Sequence, residues 1–454
     1  MLGRLVVGLW LAAVGLRGEV LESLLSKTTG VVELPPGTFQ IHDELRVPEG
    51  AHDLLIRGAP EGTTLRAAPD FRARAVLSLR HASRVRLSGF AIEGNRAGLE
   101  RLAPAPPHDA VVASYYKGNG ILLEDVRAVT LSNLALREVA GFAVAVVRSA
   151  EVALEGVTVE DSGTLNRAGR NNTTGGVLFS EGTLGFSVQA SYFRRIRGNA
   201  VWTHSVYMAP RNRDGRIEEN WFEEIGRDAI QIGHASGVRV VGNRGRRIGF
   251  PVEVVDAEGG GTPVAIDTAG EVDRTVYAAN RFEEINGKCI DLDGFHHGEV
   301  VANSCLNRGR AEDYPHGHFG IVVNNWNPDM RSEAILIRDN LIDGFKFGGL
   351  FLIGRGHQVV GNRFVRLNRA GCNENAARFG CVAIAGEPDV LQSGIYLGRL
   401  AAEWAGRRAD PSREHLIRDN LITGHKMGER CILAAPGVSL AASLIENNRC
   451  EDEP

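Results

Sequence analysis

The densest chemistry in the sequence lies between Cys289 and His297, in the run CIDLDGFHH. Asp291 and Asp293 stand two residues apart, so on a strand they share one face, with carboxyls about 6–7 Å apart. That spacing is near the lower edge of the roughly 6.5–9.5 Å found in inverting glycosidases, where one carboxyl protonates the leaving oxygen and the other activates water. Glu253 is expected on the neighbouring strand, within about 5 Å, where a like charge pushes a carboxyl toward its protonated form. His296 or His297 is available as an acid, a base or a hydroxyl ligand. Asp293-Gly294 also fits a plain turn, with Asp291 capping a corner beside it.

One strand pattern, small–apolar–x–apolar, recurs around this run: NAVWTH, DAIQIGH, FPVEVVD, KCIDLDG, GIVVNN, GLFLIG, GIYLG and RCILA. If Ile230 and Ile232 point inward, Gln231 points out. The same parity turns out Trp202, His204, Glu253, Asp291, Asp293, Asn324, Phe351 and Tyr396. Aromatic rings mixed with amides, carboxylates and imidazole suit sugars, whose apolar faces stack and whose hydroxyls form hydrogen bonds. Trp202, His204, Gln231, Asn324, Trp326, Phe351 and Tyr396 are the candidate substrate-binding residues. Irregular segments enter before this strand at 162–175, 307–318 and 368–393, and leave after it at 205–215, 256–270 and 399–413. Loops of that length on both borders would wall the strand face into a groove. His316 and His318 lack the further spaced ligands of a zinc site, and loop packing accounts for them as well. No cofactor is expected. Clustered carboxylates leave Ca²⁺ open, although no EF-hand-like loop is present.

These residues need a scaffold, and the sequence repeats itself to provide one. The clearest unit, NWFEEIGRDAIQIGHASGVRVVGN, runs from Asn220 to Asn243 and returns as NRFEEINGKCIDLDGFHHGEVVAN from Asn280 to Asn303. Echoes start at Asn340, Asn362, Asn420 and Asn448, and the stretch SNLALREVAGFAVAV from Ser132 follows the same grammar. Within each unit short runs alternate apolar and polar residues between Gly or Asn, which is strand signal. Short strands without hairpin dipeptides suit parallel stacking of one coil on the next, about 4.8 Å apart. Columns such as Phe222/Phe282/Phe364 and Ile225/Ile285/Leu367 would then fill the interior. The recurrent Asn reads as a stacked ladder at a corner, where Asn tolerates the left-handed region. Glu19 to Lys27 reads as a short amphipathic helix capping the first coil.

The entry segment VVELPPGTFQIHDELRVPEGAHDLLIRG (31–58) resembles the opening coils of the pectate-lyase-like superfamily of right-handed parallel β-helices. The repeats from about 120 to 450 are similar to its PbH1-type repeats. The resemblance implies an all-β, single-stranded, right-handed β-helix. It does not fix a chemistry, because the superfamily holds lyases, hydrolases, epimerases and non-catalytic fibres. The polygalacturonase set is missing, with no Asp-Asp pair after Gly, no GHG and no RIK, and DYPHG only echoes the DPHD of mannuronan epimerases.

Bulk properties fit an exported solenoid. The 454 residues are 43% hydrophobic, and Gly at 55 residues exceeds the usual ~7%, as many tight corners require. A net charge of −4, from 51 basic and 55 acidic residues, gives no footprint for nucleic acid. Arg4 followed by the uncharged stretch Leu5 to Leu16, with Ala13-Val14-Gly15, reads as an export signal over residues 1–18, too short to span a bilayer. Residues 19–454 would form one β-helix domain. Six cysteines, all in the second half, allow 15 pairings. Cys289 and Cys431 share one repeat position, Cys305 and Cys450 another, and Cys372 and Cys381 bracket a loop. The expected function is a secreted enzyme acting on a polysaccharide or oligosaccharide, a hydrolase before a lyase. Asp291 and Asp293 are its acid/base candidates, supported by Glu253 and His296. A β-eliminating lyase and a non-catalytic carbohydrate-binding or adhesion fibre are the alternatives.

Overall fold

A computed structural model describes residues 16–17, 19–100, 106–107, 110–257, 261–325, 330–370, 393–399 and 409–453. Successive coils each give one short strand to three parallel sheets, of fifteen, fourteen and fourteen strands among these residues. Sheet A holds Trp221–Ile225, sheet B holds Ile230–Ser236 and sheet C holds Arg239–Val241. The chain is a right-handed parallel β-helix, with the stacking that its repeats predict and the hand that the resemblance implies.

The interior is built from columns in register. In sheet A, Phe193, Phe222, Gly245, Phe282, Cys305, Ile342, Phe364, Ile422 and Cys450 follow one another coil by coil. The sheet B position facing this column is small. A Cβ on Gly349 would lie 2.7 Å from the Phe364 ring. In two coils cysteines take both places, forming the disulfides Cys289–Cys305 and Cys431–Cys450, with Cα atoms 6.1 and 5.7 Å apart. Each bond bridges a narrow space that a phenylalanine ring fills elsewhere. Cys372 and Cys381 lie outside the described residues.

Between sheets C and A runs the asparagine ladder: Asn220, Asn243, Asn280, Asn303, Asn340, Asn362, Asn420 and Asn448. Each backbone N–H and side-chain amide donates to the Oδ1 of the next, at 2.8–3.1 Å. The left-handed backbone falls one residue earlier than expected, on Glu219, Gly242, Ala279, Ala302, Asp339, Gly361, Asp419 and Asn447. Turning the chain and bonding along the axis are thus divided between adjacent residues.

The first coils are closed by the helix Glu19–Leu24, which buries Leu21, with Leu25 just beyond it. Leu16–Arg17, at the end of the expected export signal, pairs with Phe39 and Gln40 of sheet A, and residues 1–15 lie outside the described set. No helix among the described residues is long and apolar enough to cross a membrane.

Candidate functional site

Sheet B carries one outward-facing row along most of the molecule. It reads Ser78, Leu122, Ala145, Leu178, Trp202, Gln231, Asp267, then Asp291, Val322, Phe351, Tyr396 and Leu433. Asp267 and Asp291 are neighbours because the strands Val264–Asp273 and Lys288–His296 keep one offset on either side of them, at Ile266↔Ile290 and Ala269↔Asp293. Most of this row is covered, and Gln231, Asp267 and Asp291 keep 6%, 8% and 6% of their surface exposed. Leu122, Leu178 and Trp202 form a second apolar cluster with Phe142, Tyr116 and Val112, beneath the helix Val112–Tyr115. Beyond the polar stretch, Phe351 and Tyr396 stack with ring centroids 6.1 Å apart, next to Phe319. The polar residues Gln231, Asp267 and Asp291 interrupt a row that is apolar from Leu122 to Trp202 and again from Val322 to Leu433.

The interruption is tightly bonded. Asn199 Nδ2 donates to Gln231 Oε1 at 2.6 Å, and Gln231 Nε2 donates to Asp267 Oδ2 at 2.6 Å. Asp291 accepts from Lys288 Nζ on one oxygen and from Asn324 Nδ2 on the other, the latter at 2.8 Å. Asp228, at the corner before Ile230, accepts the Val264 N–H at 3.0 Å and has the Arg227 guanidinium 3.5 Å away. Asp228, Asp267 and Asp291 are all buried, and the Lys288 side chain, 23% exposed, links the cluster to solvent.

Burial in such a place disfavours charge. Burial pushes the Asp228 carboxyl up to about 6, against the opposing pull of Arg227. Asp267 is raised well above the carboxylate range, first by burial and then by the charges of Asp228 and Asp291. Burial also pulls Lys288 down, but the adjacent Asp291 carboxylate outweighs it and holds the ammonium protonated. A carboxyl pushed toward its protonated form therefore sits beside one paired with a lysine, a division of roles that acid–base catalysis needs.

Of the residues singled out in the sequence, Gln231, Asp291 and Asn324 meet in this network. Asp293 lies in the adjoining outward row, opposite Ala269 and Asn324. Glu253 does not stack here. FPVEVVD forms no strand in sheet B, because Pro251 has no N–H for the ladder, and Glu253 falls in the short 3₁₀ turn Val252–Val254. The strand of that coil is Val264–Asp273, so Asp267 holds the place expected of Glu253, and 256–270 is only partly loop. Glu253 instead belongs to a wall of interlocked insertions. Its carbonyl accepts from Arg170, Asn171 donates to Val254 O and Gly226 O at 2.6 Å, and Asn166 donates to Asp256 at 2.7 Å. His296 is five residues beyond Asp291, with Nε2 3.6 Å from Glu271 and Nδ1 2.9 Å from His297 Nδ1. Trp202, Phe351 and Tyr396 point outward as expected but are 6%, 3% and 2% exposed, their rings packed against apolar neighbours rather than bare. His204, half-buried, lies at the far end of its strand. Trp326 lies outside the described residues. His318 stacks on Phe347 at 5.1 Å, a packing role. Among the described residues no group of three or more His, Cys, Asp or Glu side chains is arranged to hold a metal ion.

Asp228, Asp267, Lys288 and Asn199 were missed in the sequence. Asp267 had a signal: Ala265-Ile266-Asp267 repeats the pattern of Ala229-Ile230-Gln231 and Cys289-Ile290-Asp291.

No protein-family model matches the chain, and no curated protein matches its sequence. Solved structures do match. The surface adhesin PfbA of Streptococcus pneumoniae superposes with a TM-score of 0.55 at 12% identity, over 77% of this chain and 85% of that one. A second PfbA structure gives 0.50 at 11%, over 96% and 94%. The catalytic unit of the thermostable GH87 alpha-1,3-glucanase from Streptomyces thermodiastaticus strain HF3-3 gives 0.52 at 12%, over 90% and 68%. At such identities the likeness establishes the class, a right-handed parallel β-helix, and carries no activity across.

Proposed function

We propose that this protein is a secreted glycoside hydrolase acting on a polysaccharide, with Asp267 as proton donor and Asp291 as its carboxylate partner. The observation that carries the reading is the buried polar stretch Gln231–Asp267–Asp291 between apolar stretches of the row, with the Asp267 carboxyl pushed toward its protonated form by burial and Asp291 paired with Lys288. Gln231 occupies Asp267 Oδ2, which leaves Oδ1 to carry the proton. In turnover that proton passes to the glycosidic oxygen as its bond to the anomeric carbon breaks. Asp291, one strand spacing (about 5 Å) from Asp267, bonds to that carbon as the leaving group departs, and water then displaces Asp291 while giving its proton to Asp267, which restores both carboxyls. Asn324 and Lys288 steady Asp291, and Asn199 steadies Gln231. Export is supported by two disulfides, which persist in oxidising compartments, and by the apolar stretch after Arg4.

A lyase needs a neutral base to remove the proton next to a uronate carboxyl. Lys288 is a poor one, since Asp291 keeps it protonated. The deciding experiment incubates the protein with a polysaccharide panel and scores reducing ends, ultraviolet absorbance of unsaturated products, and retention. New reducing ends without absorbance support hydrolysis. Absorbing products would make it a lyase, and retention without product a binding protein.

A further inference from the structure

At the far border of sheet B, one strand length from the acid cluster, a second group of side chains has no role in the proposed acid–base step. His204 follows Trp202 on its strand, with ring centroids 5.1 Å apart, and lies 6.2 Å from the His234 ring. The Tyr207 ring meets His234 edge-on at 5.6 Å and remains 38% exposed, beside Met208, which is 91% exposed. A register shift between Gly233 and Ala235 brings His234 to this border, and Gly270 leaves room for its ring: a Cβ there would fall 2.7 Å from His234 Cε1. The cation at the corner is already matched. Arg211 donates to His234 Nδ1 through one nitrogen and to Glu271 at 3.0 Å through the other, with its guanidinium 5.6 Å from the Tyr207 ring centre.

We propose that the corner formed by His204, Tyr207 and His234 is a subsite for an uncharged sugar ring of the same chain that reaches Asp267. The inference rests on the hydrolase reading for its distance from the bond cleaved. Glu271 stands four residues beyond Asp267 on one strand, about 13 Å, within the span of a short oligosaccharide. Because His234 Nδ1 accepts from Arg211, the ring proton is on Nε2, a donor suited to a hydroxyl. Burial holds both His204 and His234 at about 4, so neither supplies a positive charge at neutral pH. Recognition of a uronate uses cations free to grip its carboxylate. Here the Arg211 guanidinium faces Glu271, so a homopolymer of uronates would set a carboxylate against that acid.

The test measures binding to the Asp267→Asn protein by titration calorimetry, using soluble neutral glycans (linear glucans, mannan, xylan, galactan) and two polyuronates (polygalacturonate, alginate). At least one neutral glycan should bind and neither polyuronate should. Tyr207→Ala, at an exposed position that leaves the core intact, should weaken neutral-glycan binding about tenfold. Glu271→Gln frees Arg211 and should confer measurable polyuronate binding. Preference for a polyuronate in the parent protein, no glycan binding at all, or an unchanged affinity in Tyr207→Ala would overturn the subsite. Neutral-glycan binding lost in Tyr207→Ala, with no turnover by the wild type, would keep the subsite and remove the hydrolase.

Discussion

At the scale of single residues, burial raises the proton affinity of the Asp228 and Asp267 carboxyls. Asp228, with its pKa raised to about 6 from the ordinary 3.8, binds a proton in the folded protein that the unfolded chain releases. Between those values the native state holds more protons, so this group's contribution to stability is present below about pH 4 and is lost as pH rises through 6. Replacing it with Asn keeps an oxygen for the Val264 N–H and removes the titration. Asp228→Asn should therefore gain on wild type as pH goes from 4 to 7, by about 3 kcal/mol, read from urea unfolding at each pH. A constant difference across that range would mean Asp228 is not held protonated. This residue was not visible in the sequence, because it belongs to a corner and the pattern marked only strands. Asp291, Gln231 and Asn324 were legible from strand parity alone. That the outward row is buried was not, because what covers it comes from segments distant in sequence, such as the helix Val112–Tyr115.

At the scale of elements, the ladder and the strand pattern carry the information. The ladder asparagines could be read directly, since each precedes a sheet A strand. The left-handed residue before each could not, because Glu, Gly, Ala, Asp and Asn all fill it. Asn280 accepts from both Asn243 nitrogens and donates to Val240 O and Asn303 Oδ1, each at 2.9–3.0 Å. Asn280→Ala strips these partners from buried groups and should cost about 3 kcal/mol in chemical unfolding. A loss below about 1 kcal/mol would mean that water or a shifted backbone replaces the ladder. The strand of the Glu253 coil was misplaced for a simple reason. FPVEVVD and VAID both fit small–apolar–x–apolar, and only the proline distinguishes them.

At the scale of the whole molecule, the repeat made the stacked solenoid legible, its hand followed only from the resemblance to the pectate-lyase-like superfamily, and the sequence positions of four cysteines anticipated which columns they occupy. Pairing within a coil was not settled by spacing. It follows from two facing interior columns coming close across each coil. The two ends differ. Leu21 and Leu25 seal the first coils, whereas among the described residues Ile432–Ala434, Leu444–Glu446 and Arg449–Asp452 each pair on one side only, and Leu444 is 57% exposed. The Cys431–Cys450 disulfide ties that last coil together. Hydrogen exchange after mild reduction should show residues 432–452 losing protection first, while Val264–Asp273, with a paired strand on either side, keeps it. Loss of protection beginning in the central coils would contradict this gradient.

Whether the buried carboxyl pair breaks the glycosidic bond is decided by the hydrolysis rate of Asp267→Asn and Asp291→Asn beside the wild type, on whichever polysaccharide the panel identifies. Circular dichroism and unfolding midpoint would be recorded on the same samples. Each replacement is expected to cut the rate at least about a hundredfold while the β-helix signal stays intact. Full activity in either variant would show that the buried carboxyl pair is not where the glycosidic bond is broken.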